Sequence, residues 1–300
     1  MSSILILGSE GFIGTHLVNY FIGNNEEVYG CDLFETSKLI GDRYFKVSAL
    51  SPEWEDIFLK QQYDVCINAA GSASVPYSMA HPMSDFLSNS LDMMRVLDAI
   101  RRLNPNCRFL QISSAAVYGN PQRLPIPENS LCSPISPYGY HKLISETICK
   151  EYQQIFGIHI AVVRPFSVYG EGQQKQLLWD ICMKAKNTSE IKLFGTGLES
   201  RDFIHVADLA KLLQHIIDSG NFSCDIFNAA SGNETTIKEI ADCFVEYYEG
   251  KKKVIFSGEV RHGDPINWCA DISAAKAIGY APSIGIKDGI YRFIKWFENK

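Results

Sequence analysis

The first fourteen residues constrain the fold more than any other part of the sequence. A continuous apolar run at 4–7 is followed at once by glycine, and apolar residues at helical spacing then continue from 12 to 22. A run that is apolar at every position is typical of a strand buried on both faces of a parallel sheet. Gly8, Gly11 and Gly14 are therefore predicted to form a tight turn between a buried strand and a helix.

Short apolar runs alternate with helix-like stretches through the first half of the chain. Further runs lie at 27–31, 64–68, 108–112 and 159–164, and helix-like stretches lie between most of them, at 85–103 and 138–156. This alternation is the signature of a parallel sheet covered by helices on both faces. We predict an α/β fold with a doubly wound parallel sheet.

The regularity changes after the Arg-Pro pair at 164–165, which predicts a smaller second lobe. We expect residues 1–168 to form the main domain, with the chain returning to it at 202–230. Residues 169–201 and 231–300 would then form the smaller, mostly C-terminal lobe.

Composition excludes several classes of protein. An apolar fraction of 46% with 21% charged residues is too hydrophobic for a disordered chain. The net charge of −6 offers no positive field for nucleic acid. Nine scattered cysteines without a C-x-x-C pair indicate reduced thiols and no metal site. With no signal peptide and no apolar stretch of membrane length, we expect a cytoplasmic protein without a membrane partner.

The glycine turn has the spacing G-x-x-G-x-x-G. Glycines let the backbone approach a pyrophosphate, whose charge is stabilised by the free N–H groups and the positive dipole end of the helix. A glycine-rich turn without a ligand is the alternative, but the preceding strand and following helix favour a dinucleotide site. We expect Gly8, Gly11, Phe12, Ile13 and Gly14 to contact the cofactor.

Asp32 ends the second predicted strand, about 20 residues beyond the glycine turn, where a carboxylate would accept hydrogen bonds from an adenosine ribose diol. Leu33 and Phe34 follow it, so no arginine stands next to it to hold a 2′-phosphate. This pattern favours NAD over NADP. The alternative is a solvated aspartate in a loop.

A serine, a tyrosine and a lysine are the candidate catalytic residues. Tyr138 and Lys142 lie four residues apart on a predicted helix and share one face. An ammonium beside a phenol favours the phenolate, which predicts a tyrosine pKa lowered toward working pH and able to exchange a proton with a substrate alcohol. Ser114 follows the apolar run at 108–112, where its hydroxyl would share the substrate oxygen. A chance spacing on a surface helix, and serines that simply end a strand, are the alternatives.

Together these motifs resemble the extended short-chain dehydrogenase/reductase family and, within it, the NAD-dependent nucleotide-sugar epimerase/dehydratase branch. The likeness also includes Ser-Ala-Ala-Val-Tyr-Gly at 114–119 and Arg-Pro-Phe-Ser-Val-Tyr-Gly at 164–170, and it covers essentially the whole chain. It implies a Rossmann-fold enzyme that uses NAD. It further implies that Ser114 orients the substrate oxygen, Tyr138 is the acid/base, and Lys142 binds the nicotinamide ribose.

The resemblance assigns further residues to the cofactor and to assembly. Ala69 and Ala70, in Asn-Ala-Ala-Gly after a predicted strand, would lie along the cofactor, and Asn89 matches an asparagine of a family motif. The family likeness also suggests a homodimer formed through the helices near 85–103 and 138–156.

The resemblance likewise assigns residues to a nucleotide-sugar substrate. Arg201 lies in a family segment whose arginine meets the nucleotide diphosphate, and Arg261 and Asp264 match an R-x-G-D motif that contacts the diphosphate and the nucleotide ribose. Ser167 stands where epimerases commonly have an asparagine that contacts the nucleotide sugar. Taken bare, Arg201 and Arg261 could each be surface ion-pair residues.

The family supports several reactions, and two of them are disfavoured. Resembling dehydratases carry an Asp-Glu pair after the catalytic hydroxyl, where this chain has Ala115 and Ala116, which cannot transfer protons. Resembling 3,5-epimerase/reductases use a cysteine and a distant histidine, where this chain has Ala115 and Glu171-Gly172.

Two reactions then remain, and both need only the serine, tyrosine, lysine and nicotinamide. One is 4-epimerisation of a nucleotide hexose, the other reduction of a 4-keto-6-deoxy nucleotide sugar. We favour an epimerase acting on a UDP-hexose, in a setting such as polysaccharide biosynthesis. A catalytically silent NAD-binding protein is disfavoured by the intact trio.

Overall fold

A seven-stranded parallel sheet forms the centre of the larger part of the computed structural model of the protein, which describes residues 1–39, 41–48, 52–259 and 266–300. Its strands are β1 (Ser3–Leu7), β2 (Glu27–Asp32), β3 (Tyr44–Lys46), β4 (Val65–Asn68), β5 (Arg108–Ile112), β6 (Ile160–Pro165) and β10 (Ser223–Ala229). Their order across the sheet is β10-β6-β5-β4-β1-β2-β3. The strand order reverses between β1 and β4, and in such sheets ligands bind outside the carboxyl ends of the strands at this reversal.

Burial explains why the first apolar run becomes a strand. Ile4, Leu5, Ile6 and Leu7 are each at most 1% exposed, and β1 pairs in parallel with β2 on one side and with β4 on the other. A central strand of this kind has no polar face. The predicted doubly wound α/β fold is confirmed.

Six helices belong to this part of the chain, and one prediction about them needs correction. They are α1 (Phe12–Gly23), α2 (Trp54–Lys60), α3 (Val75–Ala80), α4 (Pro82–Phe86), α5 (Asp92–Leu103) and α6 (Pro137–Phe156). The stretch at 85–103 is not one regular helix, because a π-helical turn at Leu87–Leu91 separates α4 from α5. Such turns are rare and frequently lie at functional sites.

The remaining elements form two small sheets with their own helices. The strands are β7 (Ser167–Tyr169), β8 (Glu190–Leu193), β9 (Ser200–His205), β11 (Glu234–Thr236) and β12 (Lys253–Phe256), in the orders β11-β9-β7 and β12-β8. The helices are α7 (Gln176–Asn187), α8 (Val206–Ser219), α9 (Ile237–Tyr247), α10 (Ser273–Ala277) and α11 (Ile286–Glu298). Ile191, Phe244 and Phe293 belong to a separate buried cluster of this part.

The chain divides into two compact units. Unit 1 comprises 1–119, 132–164 and 213–227, and unit 2 comprises 120–131, 165–212 and 228–300. Residues 120–131, which the sequence analysis leaves in the first domain, belong to unit 2 because the Ile126 backbone N–H donates to the Cys269 carbonyl at 2.8 Å. Within the ranges that the structure describes, every helix is too short or too polar to cross a membrane.

Candidate active site

The glycine turn lies at the carboxyl end of β1 and is closed by backbone contacts that only glycine permits. Gly8 has a φ of +77° and its N–H donates to the Cys31 carbonyl at 2.8 Å. A Cβ on Gly14 would lie 2.0 Å from the Gly8 carbonyl oxygen. Gly11 precedes α1 as its N-cap without a side-chain cap, and the first turn of α1 carries no acidic residue. The turn therefore fits an anionic group.

Asp32 is fixed beside this turn. Its carboxylate accepts hydrogen bonds from the backbone N–H groups of Glu10 at 2.9 Å and Leu33 at 2.7 Å. The first of these bonds ties the end of β2 to the glycine turn itself. The position fits the ribose contact predicted from the sequence.

The segment after β4 forms the other side of the reversal in strand order. The Asn68 amide donates to the Gln111 side chain at 2.9 Å and accepts from the Ala70 N–H at 3.2 Å, which holds Ala69 and Ala70 at the strand ends. A Cβ on Gly8 would come within 2.9 Å of the Ala70 backbone. The two turns are thus in direct contact.

Asn89 lies in the π-helical turn of unit 1, and its side chain is buried. Its Nδ2 donates to the Ser72 carbonyl at 3.1 Å, whereas its Oδ1 has no hydrogen-bond partner among the described residues. A buried acceptor without a partner costs free energy unless a ligand satisfies it. Together with the glycine turn and Asp32, this orphaned atom indicates that the residues of unit 1 fit a dinucleotide.

Capping geometry brings the catalytic candidates together. Ser136 caps α6 by accepting from the Gly139 N–H at 3.2 Å, and Pro137 follows in the first turn, so Tyr138 lies at the helix start and Lys142 one turn later. Ser114 caps the 3₁₀ turn that follows β5, accepting from the Ala116 N–H at 3.1 Å. The Ser114 and Tyr138 side chains are hydrogen-bonded.

Lys142 completes the group. Its Nζ donates to the Ile112 carbonyl at 3.0 Å and lies 6.0 Å from the centroid of the Tyr138 ring. A Cβ on Gly139 would lie 2.7 Å from the Ala116 carbonyl oxygen, so this glycine lets α6 pack close to the Ser114 turn. Sequence reasoning missed Gly139 and Ser136, although a serine followed by proline is a common helix start.

Burial sets the protonation of the pair. Tyr138 and Lys142 are 8% and 5% exposed. Burial raises the pKa of Tyr138 to about 12, although the Ser114 hydrogen bond lowers it, and burial lowers the pKa of Lys142 to about 8. The predicted fall of the tyrosine pKa is therefore wrong for the chain without its cofactor, because desolvation and the nearby Asp85 carboxylate both raise this pKa.

The lowered pKa of Lys142 predicts a pH-dependent stability. The free energy of unfolding of the cofactor-free Lys142→Met chain should exceed that of the wild type by most below about pH 8. This difference should shrink as pH rises toward the ordinary lysine value of 10.5. Between these two pH values the unfolded wild type binds one more proton at Lys142 than the folded wild type does. Rising pH therefore stabilises the folded wild type. Urea unfolding between pH 6 and 10 measures the difference. The exposed Lys295→Met is the control, and a gain independent of pH would contradict the prediction.

A buried ion-pair network supports the Ser114 turn and α6. Arg164 donates to both carboxylate oxygens of Glu146, at 3.0 and 2.6 Å, and to the Tyr118 hydroxyl at 2.8 Å. The Ser113 hydroxyl donates to the same carboxylate at 2.5 Å. Glu146 lies on α6 one turn after Lys142, so the network fixes the helix that carries the catalytic pair to β5 and β6.

Removing one member of this network should destabilise the fold. In Arg164→Met the buried Glu146 carboxylate loses its cation, and we expect a loss of about 3–5 kcal/mol. Arg292→Met breaks an exposed pair with Asp288 and should cost under about 1 kcal/mol. Denaturant unfolding of both variants makes the comparison. Equal losses would show that the Arg164 network does not stabilise the fold.

Two of the predicted substrate residues lie in unit 2. Ser167 is the first residue of β7, which pairs in parallel with β9, the strand that carries Arg201. The Arg201 guanidinium donates to the Ser200 and Ile266 carbonyls at 2.7 and 3.1 Å and lies 5.7 Å from the centroid of a Trp268 ring. Arg261 and Asp264 lie outside the described residues.

Comparisons with known proteins agree with this geometry. The model of a family described as "NAD dependent epimerase/dehydratase family" matches residues 4–230. A relative from Methanocaldococcus jannaschii, called a putative UDP-glucose 4-epimerase, is 31% identical over 310 residues, covering 99% of this chain and 98% of its own.

Solved structures share the fold over nearly the full length. MoeE5 in complex with UDP-glucuronic acid and NAD superposes with a TM-score of 0.90 at 22% identity, covering 99% of both chains. TunA, called an NAD dependent NDP-hexosamine 5,6-dehydratase, reaches 0.89 at 24% identity, covering 100% of this chain and 99% of its own. The predicted family resemblance, NAD cofactor and enzymatic nature are confirmed.

Proposed function

The chain belongs to the NAD dependent epimerase/dehydratase family, and we propose that it catalyses the 4-epimerisation of a nucleotide-activated hexose, with UDP-hexoses as first candidates. The observation that carries this proposal is that Ser114, Tyr138 and Lys142 lie together and that two alanines follow Ser114 in its 3₁₀ turn. This arrangement supplies a proton relay for an alcohol and no further acid or base at the two positions that follow Ser114.

The relay works through the phenol. Ser114 and Tyr138, which are hydrogen-bonded to each other, would both contact the oxygen on C4 of the sugar. NAD, when held by the glycine turn, Asp32 and Lys142, would supply hydride exchange at C4, which epimerises the sugar if the hydride returns to the opposite face of the 4-keto sugar. Tyr138 takes the hydroxyl proton as the carbonyl forms and gives it back as the alcohol is restored. The Lys142 ammonium stabilises the phenolate form of Tyr138, which exists before the first proton transfer and again after the second.

The alanines argue against dehydration by this chain. Elimination of water needs a proton donor for the leaving hydroxyl and a base for the carbon that loses its proton. Ala115 is fully buried and Ala116 offers only its backbone, whose N–H is already bonded to Ser114. Reduction of a 4-keto-6-deoxy sugar, which needs the same trio, is the alternative that the test below separates.

The UDP group is proposed from the relative named for UDP-glucose. We assign the nucleotide end to Ser167, Arg201, Arg261 and Asp264, as the family motifs indicate. An arginine suits a diphosphate because it is always charged and can grip two oxygens at once.

Assembly and location are proposed from side chains on the outside of unit 1. Leu87, Met94, Tyr140 and Ile144 expose apolar surface on the π-helical turn, α5 and α6, and we assign this face to a second copy in a homodimer. Light scattering should give twice the chain mass of 33.7 kDa, and a single chain mass would contradict the assignment. Nine cysteines that form no disulfide among the described residues fit a reducing cytoplasm.

Proton NMR of the purified protein with a panel of sugars tests the function. UDP-glucose, UDP-N-acetylglucosamine and their galacto isomers are supplied singly, without added cofactor. Appearance of the C4 epimer over many turnovers supports the proposal, since a reductase would consume its nicotinamide and stop. If none of the four converts, UDP-hexose epimerisation is wrong and 4-keto-6-deoxy sugars with NADH or NADPH are the next substrates.

A further inference from the structure

A buried histidine–aspartate pair lies beside the catalytic pair, and the mechanism above does not use it. Asp85 is on α4, and its side chain is fully buried. Its Oδ2 lies 2.6 Å from Nδ1 of His141, the residue that precedes Lys142 on α6. An ionised carboxylate can only accept, so Nδ1 is the donor of this bond.

The main chain of His141 is anchored as well. Its carbonyl accepts from the hydroxyls of Ser90 at 2.9 Å and Ser145 at 2.8 Å, and Ser145 also donates to the Asn89 carbonyl at 2.7 Å. These hydrogen bonds therefore join the π-helical turn to α6 at the residue that precedes Lys142. The Phe86 ring packs edge-on against the His141 imidazole, with 5.5 Å between the two ring centroids.

The buried charge of Lys142 suggests a role for the Asp85–His141 pair. The Lys142 side chain is buried and its Nζ contacts the Ile112 carbonyl; burial lowers its pKa, and the negative charges of Asp85 and Glu146 raise it. Glu146 is already neutralised by the two-point contact with Arg164. When the His141 ring is neutral, the Asp85 carboxylate is the charge that balances the ammonium, and without it a buried cation would be uncompensated.

We propose that Asp85, held by the Nδ1 donor of His141, is a positioning residue that keeps Lys142 charged beside Tyr138. The inference rests on the proposed function, because it assigns Lys142 to the cofactor and the phenol.

Few other ionisable groups face this cluster. Around Lys142, α6 contributes Tyr138, His141, Glu146 and Cys149, and β6 contributes Arg164 through its contact with Glu146. Near Asp85, His81 precedes α4 and packs against the Tyr77 ring of α3, and the π-helical turn carries no titratable side chain. Replacing Asp85 by asparagine thus removes one charge and leaves the others in place.

The test compares Asp85→Asn, His141→Leu and His141→Asn by pH profile. Cofactor-stripped protein is titrated with NAD between pH 6 and 10 by tryptophan fluorescence, and kcat is measured over the same range with a converting sugar. In Asp85→Asn and His141→Leu we expect the alkaline fall of NAD binding and kcat to move down by about one pH unit. His141→Asn keeps a donor near the position of Nδ1 and should retain the wild-type profile. Asp92→Asn, a half-buried carboxylate on α5, is the control.

The outcomes separate this inference from the function. Unshifted profiles in both Asp85→Asn and His141→Leu would overturn it, as would a His141→Asn profile that matches His141→Leu. If Asp85→Asn does not fold, the two His141 variants decide. If no sugar is converted while the NAD profile shifts as expected, the proposed function fails and the role of Asp85 stands.

Discussion

Replacing Tyr138 by phenylalanine is expected to lower kcat by about 10²- to 10⁴-fold, the contribution typical of a positioned general acid/base. The substitution removes one oxygen and leaves the buried ring in place. The phenol oxygen that exchanges the C4 hydroxyl proton is removed, and the hydrogen bond to Ser114 is lost with it. Bound NAD and the fold should be retained, because neither depends on the hydroxyl.

Tyr140→Phe is the matched control for this variant. Tyr140 lies two residues later on α6 and is 55% exposed, so the same atom is removed on the opposite side of the helix. Turnover by NMR, circular dichroism and the NAD released on denaturation would be measured for both. A Tyr138→Phe enzyme with kcat within about threefold of wild type would show that the phenol is not the acid/base.

Gly14→Ala should abolish cofactor binding. The added Cβ would lie 2.0 Å from the Gly8 carbonyl oxygen and 2.9 Å from the Ser9 Cα, and both are backbone atoms. The turn must therefore open, which would move the N–H groups that we assign to the pyrophosphate. We expect purified Gly14→Ala to contain no NAD and to show no turnover without added cofactor.

Gly23→Ala separates this effect from a general response of α1. Gly23 ends the same helix, and a Cβ there would meet nothing within 4 Å. This variant should keep its NAD and be at least as stable as wild type, since alanine is the better helix former. Full NAD content in Gly14→Ala would contradict the role assigned to the turn.

The sequence predicted the main sheet because burial leaves a simple pattern. The strands at the centre of the sheet are apolar at nearly every position, and such runs are read without knowledge of their neighbours. The π-helical turn at Leu87–Leu91 was not predictable, since the apolar spacing continues through it. The assignment of 120–131 to unit 2 also depends on a distant partner, the Cys269 carbonyl, which no local pattern indicates.

The candidate site was likewise predictable from the sequence only in part. The glycine turn, Asp32 and the Tyr138–Lys142 spacing are local patterns, and the structure brings each to a carboxyl strand end of unit 1 or to the first turns of α6. The bond between Asp85 and His141 joins residues 56 positions apart and has no sequence signature. The rise of the Tyr138 pKa was missed because helical spacing gives proximity but not the depth of burial.

The most direct test of the central claim follows the hydrogen on C4. A UDP-hexose deuterated at C4 would be converted in ordinary water, with unlabelled NADH added to the solution. If hydride leaves C4 and returns within one bound complex, the epimer carries its deuterium at C4 and the added NADH stays unlabelled. Loss of the label to water, or its appearance in the free NADH, would contradict the mechanism proposed for Ser114, Tyr138 and Lys142.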